Sequence, residues 1–273
     1  MKVKKYLPSL ITLTNLFLGF LSLLFIQKGN ISFGCYLILI ASVLDSFDGK
    51  LARKIGIASE FGKEIDSLAD LISFCLAPSF LIFNIFYSFD NQVSEYLFLY
   101  LAIISSFPLL MGSIRLARFN VDHTKESKQS FFIGLPSPMA AIAICSIVLL
   151  KINLDTTKNN NEFFFDPQNF NIFDLNFILP IIVLLSFLMI GKIQFSKFPL
   201  LSFSHSKKNS IRLILLLLGV LVLIISKFYG YFHIGLFLFS SYYLLSNILF
   251  HFINNSIKLN ELRENLKKKK RKS

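Results

Sequence analysis

Two close pairs of aspartates, Asp45 with Asp48 and Asp66 with Asp70, are the residues of this chain best suited to chemistry. Spacings of three and four place each pair on one face of a helix. Two helix ends joined by a short connection bring all four carboxylates together. Gathered beside lipid they cannot all stay ionised unaided, since each like-charge pair at about 4 Å costs roughly 4 kcal/mol at an effective dielectric near 20. Either they hold protons or cations neutralise them. Hard oxygen ligands suit Mg2+, Mn2+ or Ca2+ rather than Zn2+. A two-ion arrangement of this kind serves phosphoryl and phosphodiester chemistry. The residues between the pairs fit that chemistry. Gly49, Ala52 and Gly62 remove bulk where a ligand or facing helix presses close. Arg53 offers a bidentate fork to phosphate. The whole reads D-x2-D-G-x2-A-R-x8-G-x3-D-x3-D from Asp45 to Asp70. A single aspartate at a helix end is as readily a solvated cap, but that reading fails for the set as a whole.

Hydropathy dictates which elements position these residues. The chain has 273 residues, of which 54% are apolar and only 16% charged, with a mean hydropathy of +0.62. Soluble proteins carry about 25% charged residues. Disorder, a collagen repeat and a disulfide scaffold are excluded. Cys35, Cys75 and Cys145 lie in apolar runs and read as buried hydrophobes. The fold class is all-α, a polytopic membrane bundle. Eight apolar stretches approach the roughly 20 residues that a spanning helix needs. They lie near 8–27, 31–47, 65–86, 96–116, 133–152, 177–193, 211–228 and 231–253. The connections alternate in charge: 24 Lys and Arg fall on one side and 4 on the other. By the positive-inside rule both termini are cytoplasmic, which an even number of spans also requires. The aspartate motif then sits at the cytoplasmic ends of the second and third spans. Residues 1–257 form one membrane domain, followed by a basic tail, 258–273. The Lys267–Lys272 cluster reads as a topology anchor on anionic lipid rather than a nucleic-acid site, because it closely follows a span.

At every fixed position the Asp45–Asp70 segment resembles the signature of the CDP-alcohol phosphatidyltransferases, membrane enzymes that move a phosphatidyl group from a CDP-linked lipid to an alcohol and release CMP. Leu7–Phe20, Ser59–Gly62, Asp66–Asp70, Arg115–Asn120 and Phe132–Pro138 resemble the phosphatidylserine synthase branch of that family. Ser9 departs from it, where the family often has Asn after Pro8. The resemblance implies metal ligation by Asp45, Asp48, Asp66 and Asp70, with two Mg2+ or Mn2+ ions, and a base role for Asp70. It implies a cytidine packed on Gly49 and Ala52, and further CDP-lipid contacts from Arg53, Gly62 and Thr12. It implies CDP-diacylglycerol and L-serine as substrates, a multi-pass cell-membrane protein with its site at the cytoplasmic face, and a homodimer.

Serine carries a carboxylate, for which a bidentate Arg is the natural reader. Arg115 and Arg118 share a helix face at the end of the fourth span, and Asn120 follows with a donor and an acceptor. As the plainer alternative, both Arg residues are topology anchors. Glycerol phosphate or inositol phosphate as acceptor calls for a further basic cluster, and an ether-lipid donor stays open. A phospholipase-D-like synthase is excluded: it needs two H-x-K-x4-D copies, and His123-Thr-Lys125 is only half of one. A cation transporter places its acids near the midplane between broken helices, whereas these cluster at one face.

Overall fold

The structure, a computed structural model, describes the backbone of residues 3–55, 60–87, 95–121, 131–159, 172–196 and 207–270. Side chains are described over 9–47, 60–87, 95–121, 131–153, 177–196 and 210–256, except Arg212 and Asn255. Helix α1 (Val3–Gln27) turns tightly into α2 (Ile31–Ile55). Gly29 takes φ +81°, so Asn30 N–H reaches Phe25 O and Gly29 N–H reaches Ile26 O, both at 2.9 Å. The last carbonyls of α1 are thereby satisfied by a left-handed glycine cap. Asn30 Oδ1 accepts from Phe33 N–H at 3.3 Å and caps α2 in turn.

Helix α3 (Glu60–Asp70) runs without a break into a π-turn, Leu71–Leu76, and then α4 (Ala77–Tyr87). Helices α5 (Glu95–Ser105) and α6 (Phe107–Val121) meet at Ser106. Pro108 supplies no N–H there, and Ser79 Oγ accepts Leu109 N–H at 3.0 Å. Strand β1 (Phe131–Ile133) precedes α7 (Ser137–Asn159) and α8 (Ile172–Ile190). Strand β2 (Gln194–Ser196), α9 (Lys207–Phe228) and α10 (Phe232–Lys270) complete the chain. The two strands pair antiparallel, with Phe132 opposite Phe195.

The core lies where α2, the π-turn, α4, α7 and α8 meet. Cys35, Ile38 and Ala41 pack with Phe74, Cys75, Leu81, Ala140, Ile144, Cys145, Ile182 and Met189. Small residues permit this approach. A Cβ at Gly19 would strike Ser73 Oγ, and one at Gly112 would strike Cys75 Sγ, so both α1 and α6 press against the π-turn. All three cysteines are buried thiols, as their apolar settings predict. Outward faces are apolar as well. Leu215, Leu218, Val222 and Ile225 on α9 and Leu238, Leu245 and Leu249 on α10 are exposed, as lipid-facing residues are. Helices pair the backbone groups of their interior among themselves, which is what a bilayer demands.

The stretches Ser9–Gln27, Glu60–Tyr87, Glu95–Val121 and Phe232–Asn254 are long and apolar enough to cross a membrane. Apolar stretches also lie at Ile31–Phe47 in α2, Ser137–Asn153 in α7, Phe177–Ile190 in α8 and Leu213–Phe228 in α9. Together they fall on the eight stretches read from hydropathy, in a predominantly helical membrane architecture. Hydropathy does not anticipate three features: the π-turn inside the third stretch, the break at Ser106 inside the fourth, and the two-stranded ribbon. Helix α10 also continues through residues 257 and 258, where composition alone marks the edge of the tail.

Candidate active site

Asp45 lies in the second half of α2, and Asp66 and Asp70 lie on successive turns of α3. One carboxylate oxygen from each of the three falls within 4.8 Å of the others. The convergence follows from a short connection between two helices whose Asp-bearing faces meet. Asp48, Gly49, Ala52 and Arg53 belong to the last turns of α2, and their side chains lie outside the described residues. Gly62 is half-buried in the first turn of α3. Thr12 is buried on α1, one turn from Asn15, whose side chain is fully buried. Neither amide atom of Asn15 has a hydrogen-bond partner among the described residues, while its backbone carbonyl accepts from Ser73 Oγ at 2.9 Å. That bond ties α1 to the π-turn directly after Asp70.

Asp70 is the hub. Its Oδ2 accepts from Ser137 Oγ at 3.4 Å, and its Oδ1 is buried without a hydrogen bond among the described residues. The charges of Asp45 and Asp66 bear on it, and the Arg115 guanidinium opposes them. Arg115 Nη1 donates to Ser137 Oγ at 3.0 Å. Helices α2, α3, α6 and the start of α7 thus converge on one group of acids.

The other two candidate acceptor readers stand apart from Asp70. Arg118 is exposed and donates through Nη1 to the Ile190 carbonyl at 3.1 Å, at the end of α8. Asn120 Oδ1 accepts from Ser67 Oγ at 3.1 Å, and its Nδ2 donates to Glu64 Oε2 at 3.4 Å. It therefore fastens the end of α6 to the flank of α3 beside Asp66.

Ser137 was not among the residues to which sequence reasoning assigned chemistry. Its only signal was its place in the Gly134-Leu-Pro-Ser-Pro138 stretch. The turn before it is held on both sides. Gly134 takes φ +82°, and a Cβ there would run into the Met189 carbonyl. Gly134 N–H donates to Ile193 O at 2.8 Å and Leu135 N–H to Leu188 O at 2.9 Å. The last helix braces the ribbon from behind. Ser196 N–H donates to Asn247 Oδ1 at 2.7 Å, and Tyr243 Oη donates to the Ser196 carbonyl at 3.1 Å. Gln194 N–H donates to His251 Nδ1 at 3.3 Å. The second half of the chain, which carries no acidic motif, thus fixes the turn that presents Ser137.

Chemically, a trio of carboxylate oxygens at this separation, with one buried oxygen of Asp70 left without a hydrogen bond among the described residues, fits a hard divalent cation. Such a group beside a guanidinium is suited to binding and transferring a charged phosphoryl centre.

The comparisons with known proteins agree with this chemistry. A family model described as CDP-alcohol phosphatidyltransferase matches residues 5–225. A CDP-diacylglycerol–serine O-phosphatidyltransferase of Helicobacter pylori is 34% identical over 192 residues, covering 70% of this chain and 72% of its own. The Bacillus subtilis protein of the same description is 31% identical over 205 residues, covering 75% of this chain and 95% of its own. An archaetidylserine synthase of Methanothermobacter thermautotrophicus is 39% identical over 145 residues, 52% of this chain and 58% of its own. Proteins of this family generally depend on a divalent metal.

Proposed function

Because the chain belongs to the CDP-alcohol phosphatidyltransferase family, we propose that it is a phosphatidylserine synthase of phospholipid biosynthesis, transferring the phosphatidyl group of CDP-diacylglycerol to the hydroxyl of L-serine with release of CMP. The observation that carries the chemistry is the closure of Asp45, Asp66 and Asp70 to within 4.8 Å beside Arg115. The acceptor rests on the relatives, whose names all carry serine as the head group.

Asp45, Asp48, Asp66 and Asp70 would hold two Mg2+ or Mn2+ ions, which supply charge neutralisation for the diphosphate when bound. Asp70 takes the proton of the serine hydroxyl, since an alcohol is a poor nucleophile at neutral pH and needs a base within reach. The serine oxygen forms a bond to the lipid-linked phosphorus. The bond from that phosphorus to the bridging oxygen breaks, and CMP leaves with the electron pair. Arg53 offsets negative charge on the transferring group. Gly49 and Ala52 leave room for the cytidine, with Gly62 and Thr12 completing the donor site. Arg115 reads the serine carboxylate, with Arg118 and Asn120 flanking it on the same helix. The site faces the cytoplasm in a protein of eight spans with both termini inside, a reading supported by the partition of 24 basic residues against 4. Nucleotide and serine then arrive from water while the acyl chains stay in the bilayer. The functional unit is a homodimer.

An ether-lipid donor is the second reading, favoured by the similarity to the archaetidylserine synthase. Purified protein in detergent with Mn2+ or Mg2+ separates these possibilities. CMP release is measured with CDP-diacylglycerol or its diether analogue as donor, and with serine, glycerol phosphate, inositol phosphate or ethanolamine as acceptor. Serine-dependent release with the diacyl donor is the expected result. Release with glycerol phosphate or inositol phosphate but not serine overturns the acceptor while leaving the transferase class.

A further inference from the structure

We propose that Ser137 is a positioning residue for Asp70: its hydroxyl, held between the Arg115 guanidinium and the Asp70 carboxylate, locks the carboxylate so that Oδ1 serves the cation and the incoming alcohol. The proposal rests on the phosphatidyltransferase reading, in which Asp70 is both ligand and base.

The direction of the hydrogen bonds is set by chemistry. A guanidinium has donors only, so Ser137 Oγ accepts from Arg115 Nη1 at 3.0 Å. The single hydroxyl proton is then directed to Asp70 Oδ2, 3.4 Å away. One carboxylate oxygen is occupied, and the other, Oδ1, is buried with no hydrogen bond among the described residues. Ser137 is itself fully buried. Its backbone has little freedom. Pro136 and Pro138 flank it and restrict the dihedral angles on both sides. Gly134, two residues before Pro136, is fastened to Ile193, and Leu135 to Leu188. The ribbon beyond is braced by Tyr243, Asn247 and His251 of the last helix. A hydroxyl on so fixed a frame imposes its geometry on the side chain it touches. This is the arrangement by which an outer hydrogen-bond partner orients a metal-binding carboxylate, and losing such a partner typically costs about 10- to 100-fold in metal affinity or activity.

Ser137→Ala and Ser137→Thr, purified in detergent, test the role through two readouts. The first is direct Mn2+ binding followed by electron paramagnetic resonance. Ser137→Ala weakens it by about 10- to 100-fold, and Ser137→Thr, which keeps the hydroxyl, retains most of the affinity. The second is the split between kcat and KM at saturating Mn2+. Ser137→Ala lowers kcat by about tenfold or more while the KM values for serine and CDP-lipid stay within about twofold. Ser137→Cys, nearly isosteric with a weak donor, falls between wild type and Ala and serves where either other variant fails to accumulate. Wild-type Mn2+ affinity and kcat in Ser137→Ala overturn the positioning role alone. A raised serine KM with unchanged kcat also overturns it and moves Ser137 into the acceptor pocket. A wild-type protein that binds no Mn2+ overturns both this role and the functional reading beneath it.

Discussion

Replacing Asp45 by Asn tests the acidic group most directly, because stability and activity should move in opposite directions. Three carboxylate oxygens within 4.8 Å repel with about 3.5 kcal/mol or more per ionised pair at an effective dielectric near 20. Asp45→Asn keeps the side-chain shape and deletes two of the three pairings. Without metal, that repulsion is relieved only partly by Arg115 and by bound protons, so the variant should be more stable than wild type by a few kcal/mol at most. At about 2–4 °C per kcal/mol for a chain of this size, the thermal midpoint in chelator rises by several degrees. With metal the order inverts. A cation at about a hundred times its dissociation constant adds roughly 2.7 kcal/mol to wild type, and much less to a variant lacking one charged ligand. Transfer activity falls by at least about a hundredfold, the upper cost of disturbing a metal site even at its outer partners. The three buried thiols, Cys35, Cys75 and Cys145, make the assay simple, since a thiol-reactive fluorophore labels them only on unfolding. A variant whose midpoint in chelator drops below wild type, while Mn2+ still gives the full upward shift, would refute the argument that these acids form the cation site.

Three further outcomes are expected. Asp70→Asn lowers turnover by about 10²–10⁴-fold, the usual cost of losing a general base, while CDP-lipid still binds; a radiolabelled donor-binding assay beside the rate measurement checks both. Arg115→Lys keeps the charge but loses the fork, and raises the serine KM by about 10- to 150-fold, corresponding to about 1.5–3 kcal/mol for a charge-assisted hydrogen bond; Arg118→Lys has a smaller effect, because Arg118 is exposed and its Nη1 is engaged by the Ile190 carbonyl. Gly134→Ala forces a side chain into a backbone at φ +82°, costing about 1–2 kcal/mol from the left-handed conformation alone, and adds a clash with the Met189 carbonyl; a lowered thermal midpoint together with reduced turnover is the expected pair of readings.

Much of this protein is legible in one dimension because membranes impose one-dimensional rules. Spanning helices need long apolar runs, and loops sort their Lys and Arg by side. The stretch 31–47, for instance, is recoverable from hydropathy, and it forms the first part of the helix Ile31–Ile55. The aspartate motif is equally local. Asp66 and Asp70 share a face by helix periodicity alone, and Asp45 lies one short connection away. What hydropathy averages out is local backbone detail. A π-turn at Leu71–Leu76 has the same apolar composition as an α-helix, so nothing in its residues marks it. The three-residue strands at 131–133 and 194–196 are too short to show a period and are paired by contacts far apart in sequence.

Residue types and spacing alone therefore determined the membrane class, the acids and the kind of cation they suit. The partners those acids acquire were decided only in three dimensions. Arg115 and Arg118 are indistinguishable as sequence, two guanidinium groups three residues apart on one helix face. Yet one bonds Ser137 beside Asp70 and the other bonds the Ile190 carbonyl at the end of α8. Ser137 lies 67 residues from Asp70, and reaches it because a left-handed glycine, two carbonyls of α8 and its flanking segment, and a ribbon braced by the last helix hold its turn in place. Helix periodicity and hydropathy act over neighbours a few residues apart. Hydrogen bonds between distant segments depend on how whole helices pack, and that packing is a property of the folded chain.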